Sequence, residues 1–210
     1  MKEIPGEPPK AFVCPDSAAL RTKTQSLHDQ VEQALALPGA IANMDDYRRW
    51  LSRFLGFYEP LEAILSSFHG WTDWGIDLSN MGHKVSLRKD IAAMQTEPRL
   101  IPRAQQDSLP KLLTFAEAFG ALYVVEGSKL GGKFILREIA TRLGPELKGA
   151  DSFFTGNGEA AGARWNAFKQ SLDRFLLANS AQFPLVVAGA ESTFSSIQAW
   201  MSPLNLAAQR

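Results

Sequence analysis

The chain has 210 residues and few of the groups that make chemistry easy to read. Cys14 is its only cysteine, which excludes an intrachain disulfide or a thiolate-built metal site and favours a reducing, cytoplasmic setting. Its three histidines, His28, His69 and His83, stand in neither an HExxH motif nor the Glu-x-x-His repeat of a di-iron bundle. Net charge is missing too: 22 basic residues balance 22 acidic ones, which argues against nucleic acid or an anionic membrane as the main partner. No apolar run approaches the roughly 18 residues of a membrane span. The opening MKEIPGEPPKAF lacks the apolar core of a signal peptide, so no membrane segment or leader is expected. The stretch TGNGE follows no strand pattern, which argues against a phosphate cradle, and no Ser/His/Asp constellation is identifiable from residue order.

What is present is helical periodicity. Residues 1–15 carry Pro5, Pro8, Pro9 and Pro15 and read as an irregular arm, with one helical domain over 16–210. Asp16 or Ser17 can cap a first helix that stops at Pro38-Gly39, with Leu20, Leu27, Val31 and Leu35 as its apolar stripe. Asp45 or Asp46 can cap a second, in which Pro60 should force a bend against the carbonyl of Gly56. A shorter helix is expected around HKVSLRKDIAAMQ, then a connection punctuated by Pro98, Pro102 and Pro110. One long helix should run from Thr114 to Leu143, followed by a loop at DSFFTGNGE. Two last helices cover AGARWNAFKQSLDRFLLAN and about Val186 to Met201. Only LVV at 185–187 hints at a strand, and nothing pairs with it. The fold class is all-α, a single-domain multi-helix bundle.

Two features of this pattern invite a functional reading. In LHDQVE, His28 and Glu32 lie one turn apart on the flank of the buried stripe. An imidazole there can aim one nitrogen into a cavity while the carboxylate holds the other, as around metal-bound histidines, although a surface hydrogen-bonded pair has the same spacing. The second feature is LYVVEGSKLGG, whose glycines each cost a helix roughly 1 kcal/mol. At about 100° per residue, Gly120, Gly127 and Gly131 share one stripe and Gly132 points elsewhere. Such a stripe admits either a flat ligand against the backbone or a closely packed helix, and spacing alone leaves both open. His69 and His83 have no acidic or cysteine neighbours at ligand spacing and are expected in loop or surface roles. Most Trp and Phe fall at helical spacing and are expected in the core.

In order, LHDQVE, FLGFYEPLE and ALYVVEGSKLGGKFI resemble the heme oxygenases, the bacterial type in particular, and TFSSIQAW is similar to that family's last helix. The resemblance implies haem clamped between a proximal first helix and a kinked, glycine-rich distal helix. It makes His28 the axial ligand and Glu32 its supporting partner. Gly127, Ser128 and Gly131 become the distal, catalytic wall, where a methyl group would collide with O₂ or the macrocycle. Arg21, Lys23, Tyr58, Lys133 and Arg137 complete the implied haem-binding set, the basic ones as candidates for the propionates.

The implied activity is O₂- and electron-dependent ring opening of haem to biliverdin, CO and ferrous iron, with haem both substrate and cofactor. Electrons would come from a separate ferredoxin or reductase, since no flavin or nucleotide pattern is present, and a monomer is expected. Mammalian-type members carry Asp directly after the first distal glycine, where this chain has Ser128, so the route of the proton is left unassigned. Two alternatives keep the helices but not the reaction: a haem carrier or sensor, and a helical interaction module without haem.

Overall fold

The computed structural model describes residues 14–202 apart from 98, 100 and 148. Most of the expected arm, together with Pro98, lies outside the described residues. Among the described residues there are helices and no strands, and LVV lies inside the last helix. The principal helices are α1 (Ser17–Leu35), α2 (Met44–Ser66), α3 (Lys84–Ala93), α4 (Phe115–Gly127), α5 (Gly132–Leu143), a single turn α6 (Ser152–Thr155), α7 (Ala161–Ala178) and α8 (Phe183–Met201).

Local chemistry sets the boundaries. Asp16 caps α1 by accepting the Ala19 N–H, and the helix ends where Ala36 turns left-handed (φ 50°). Asn43, rather than Asp45 or Asp46, caps α2: its side chain accepts the Asp46 N–H while Asp46 accepts that of Ala42. Thr114 and Glu117 form a capping box ahead of α4. Helix α2 runs through Pro60 without interruption. The ring removes the donor that Gly56 would have used, and the Ala104 N–H supplies one to the Gly56 carbonyl at 3.0 Å.

Helix α4 is the centre of the molecule. It is apolar around its whole circumference and buried from Ala116 to Glu126 apart from Glu117, as a helix enclosed on all sides must be. Its packing on α8 is close because a glycine on each helix lies against the backbone of the other. A Cβ on Gly120 would lie 1.9 Å from the Val186 carbonyl oxygen, and one on Gly189 would lie 2.0 Å from that of Glu117. At the far end of α4, Phe115 and Phe119 pack against Trp71, Phe168 and Phe175 in tilted and edge-on contacts. Full burial of such an aromatic, as for Phe119 and Phe168, contributes about 1.5–3 kcal/mol.

The expected continuous helix from Thr114 to Leu143 is two helices. Between α4 and α5, Ser128–Leu130 forms a 3₁₀ turn. The turn carries the chain past α6, where a Cβ on Gly132 would lie 2.3 Å from the Phe154 carbonyl oxygen. The expected loop at DSFFTGNGE contains α6. Buried Asp90, on α3, accepts the N–H groups of Ser152 and Phe153 at 2.9 and 2.7 Å, and Tyr47 donates to the Ala150 carbonyl at 2.6 Å. Burial raises the Asp90 pKa, and these two N–H groups pull it back.

Candidate functional site

The break between α4 and α5 opens onto a cavity of about 550 Å³, within the usual range for ligand pockets. Arg21, Thr24, Gln25, His28, Val31 and Glu32 of α1 line one side. Gly127 to Gly132 and Ile135 line the other, and Tyr58, His83, Phe153, Trp165 and Phe194 close the ends. The helices thus bring His28, Glu32, Arg21, Tyr58, Gly127, Ser128 and Gly131 of the expected set to one cavity.

Three expected residues are not on its wall. Lys23 is exposed on α1, and Lys133 and Arg137 are exposed on α5. The cause on α5 is rotational: Gly132 packs on α6 and Ile135 faces the cavity, which carries Lys133 and Arg137 to solvent. The basic side chains that do line it are Arg21, which is exposed, and Lys129. Lys129 is committed to a buried ion pair with Glu126 at 2.6 Å.

The glycine stripe also divides. Gly120 belongs to the α4–α8 contact and is not part of the cavity wall. Gly127 and Gly131 are different. Both have ordinary right-handed backbone angles (φ −63° and −81°), so conformation does not require glycine at either. A Cβ on Gly127 would approach the Trp165 ring no nearer than 3.4 Å, and one on Gly131 would meet nothing within 4 Å. Packing does not require glycine there either. The space these two residues leave belongs to the cavity.

His28 sits half-exposed on the opposite wall, edge-on to Phe194 with ring centres 6.0 Å apart. Its Nε2 faces Glu32 at 3.7 Å and its Nδ1 faces Asp29 at 3.6 Å. These are ion-pair separations and longer than hydrogen bonds. Asp29 in turn accepts from Gln25 at 2.7 Å. The ring thus stands between two carboxylates, where the sequence pointed to Glu32 alone.

His83 lies in the connection ahead of α3, as a loop role would have it, but not at the surface. It is only 4% exposed, with its ring against Tyr58 and Phe153 at 4.4 and 5.0 Å. Its Nε2 lies 2.8 Å from the Ser128 hydroxyl and 3.2 Å from the Val125 carbonyl oxygen. Burial, with Lys129 nearby, pushes the imidazole pKa down to about 3. Desolvation likewise pushes the Tyr58 phenol up to about 12, against the pull of a hydrogen bond with Ser128. Sequence reasoning missed His83 because its partners are 42 and 45 residues away. It also left Phe153 and Trp165 to loop and core, although both line the cavity. The nearest signal was Gly82, whose φ of +84° and closeness to the Glu62 carboxylate leave no room for a side chain.

The chain is similar to known proteins. The family model described as heme oxygenase matches residues 16–203. The chain is 28% identical over 185 residues to heme oxygenase PigA of Pseudomonas aeruginosa, covering 85% of this chain and 87% of that protein. A heme oxygenase of Xanthomonas campestris is 29% identical over 152 residues, covering 72% and 86%. In fold, the chain is similar to the NO- and CO-bound heme oxygenase of Neisseria meningitidis, with a TM-score of 0.67, 19% identity and 88% of each chain covered. The helices, the divided glycine stripe and these likenesses lead to one conclusion: the chain belongs to the heme oxygenase family.

Proposed function

We propose that this heme oxygenase holds haem in the cavity between α1 and the α4–α5 break and opens it to biliverdin, CO and ferrous iron. The observation that carries this reading is the pair Gly127 and Gly131. Neither backbone angle nor packing accounts for their missing side chains, and both border a cavity with a histidine on its opposite wall. The donor set also suits the group: a histidine flanked by carboxylates, a predominantly aromatic and aliphatic lining, and one basic side chain, Arg21, without a buried acidic partner in the cavity.

In this reading His28 would hold the haem iron. Its half-exposed ring can turn about its side-chain bonds on the fast timescale of surface residues, leaving one nitrogen with Glu32 or Asp29 and presenting the other to the iron. Such a partner fixes ring orientation and raises ligand basicity. Gly127 and Gly131 let the distal backbone come close to the macrocycle, and Ser128 is the polar group beside them. Tyr58, Phe153, Trp165 and Phe194 bury its apolar faces and edges. Arg21 takes a propionate at the rim, where a guanidinium matches a carboxylate in shape and charge. Bound haem supplies the iron redox chemistry and O₂ activation. The protein's part is to hold the ring in one orientation and to keep bulk water out. Electrons come from a separate ferredoxin or reductase, the site works in a monomer, and the setting is cytoplasmic. For the described residues, no helix is long and apolar enough to cross a membrane.

Absorption spectroscopy tests this directly. Hemin added to the purified protein should give a sharp Soret band, and ascorbate or a reductase under air should replace it with broad biliverdin absorption. A Soret band that persists under reductant would mean a haem carrier or sensor. No Soret band would reject haem as the ligand.

A further inference from the structure

The polar network on the glycine side of the cavity centres on His83, a residue the reading above does not use. Two carboxylates from two helices fix its backbone. Glu62 of α2 accepts the N–H groups of His83 and Lys84, and Glu126 of α4 accepts that of Gly82 at 2.9 Å. Tyr58 and Phe153 hold the ring on its faces. The imidazole therefore has little freedom, and its Nε2 is delivered to the place where α4 ends.

The neighbours of that nitrogen determine its protonation. A carbonyl oxygen can only accept, so Val125 at 3.2 Å requires a proton on Nε2. The Ser128 hydroxyl donates to the same carbonyl at 2.8 Å, which leaves its oxygen to accept from the ring. Carbonyls in the last turn of a helix lack regular intrahelical donors, and that of Val125 is served by two side chains at once. Ser128 is also the first residue of the 3₁₀ turn. Lys129 and Glu126 are paired beside the ring, and Lys84 reaches towards Glu62 at 3.9 Å. The burial that depresses the imidazole pKa keeps it a neutral donor.

We propose that His83, as its Nε2–H tautomer, is a positioning residue of the distal wall: by holding Val125 and Ser128 it fixes the turn that sets Gly127 and Gly131 over the substrate. This rests on the haem-site reading above. It assigns a task to a residue outside the glycine helix: the bond to Ser128 determines which edge of the macrocycle the distal backbone covers.

The test combines the apo protein with the hemin-loaded one. Long-range ¹H–¹⁵N spectra of the apo protein should show His83 protonated at Nε2 and not titrating between pH 5 and 8, and Ser128→Ala should move its ring signals. In the hemin-loaded protein, His83→Leu should keep a Soret band but lose about tenfold in turnover, the scale of one lost hydrogen bond, and give a broader mixture of biliverdin isomers. His83→Gln, whose amide can reach the same acceptors, should restore turnover and isomer composition to within about twofold. A ring protonated at Nδ1, or one titrating near its ordinary pKa, overturns the proposal. So does a His83→Leu protein with unchanged turnover and isomers. If His83→Leu does not fold, the spectra and the Gln and Ser128→Ala variants decide by the same criteria. Failure of the wild type to bind hemin would reject the haem reading instead, and the tautomer result would still stand.

Discussion

The carbonyl of Gly56, deprived of its helical donor by Pro60, accepts the N–H of Ala104 at 3.0 Å, and the Pro102 carbonyl lies where a Gly56 side chain would be. A proline and a glycine four residues apart thus dock the irregular segment after α3 onto α2. Gly56→Ala would place its Cβ 1.9 Å from the Pro102 oxygen, a backbone atom that cannot yield by a rotamer change. Chemical denaturation should show a loss of about 2–3 kcal/mol. Because the cavity does not include this contact, hemin affinity of the remaining folded protein should be unchanged.

The glycines of α4 and α5 should respond in opposite ways. Gly120→Ala drives a methyl into the α8 backbone and should destabilise the apo protein by at least about 2 kcal/mol. Gly131→Ala meets open space at an ordinary φ, so the apo protein should gain about 0.4–1 kcal/mol through the unfolded chain. Gly131→Leu should fold equally well and fail to take up hemin. Thermal melts and Soret titrations of the three variants check this, and an unfolded Gly131→Leu would mean the residue serves packing after all.

Removing the proposed haem ligand should not remove the fold. His28 is half-exposed and makes no hydrogen bond shorter than an ion-pair contact, so His28→Ala should shift apo stability by no more than about 0.5 kcal/mol. Biliverdin formation should vanish. Wild-type turnover in that variant would show that the iron is held elsewhere.

The pH dependence of stability should carry the signature of His83. Its folded pKa of about 3 lies below the ordinary 6.5, so between those values the unfolded chain binds the extra proton. Stability from this group is fully present above pH 6.5 and is lost as pH falls towards 3. At pH 5.5 the loss should be on the order of 1 kcal/mol. Glu62 and Asp90 have raised pKa values and act in the opposite direction, so the comparison to make is wild type against His83→Gln. The variant should lose less stability than the wild type between pH 7 and 5.5.

The limits of the sequence are instructive at particular residues. The helices, the flank position of His28 and the clustering of glycines could all be read from periodicity, because these are local properties. The division of labour among those glycines could not. Gly120 and Gly131 share a stripe on a continuous helix, but the turn at Ser128 breaks the rotation, and only the position of α8 decides which of them is packed. His83 was invisible for a related reason: nothing in MGHKVS reveals that Glu62, Val125 and Ser128 converge on it. Charge alone also says nothing about which way a basic side chain points. Lys133 follows cavity-lining Gly132, and Arg137 lies two residues past cavity-lining Ile135, yet both are exposed.

The backbone contact of Gly120 and Gly189 also has a mechanical consequence. With carbonyls and glycines interlocked, α4 and α8 cannot slide or separate without breaking many contacts together, so they act as a stator. A flat, rigid substrate still has to enter and a bent linear product has to leave. In hydrogen exchange, amides of α4 and α8 should open last, and those of α1 and the 128–132 turn should open first and slow most when hemin binds. In the proposed reading, α1 and the turn would form the yielding side of the cavity, opposite the fixed wall of α4 and α8.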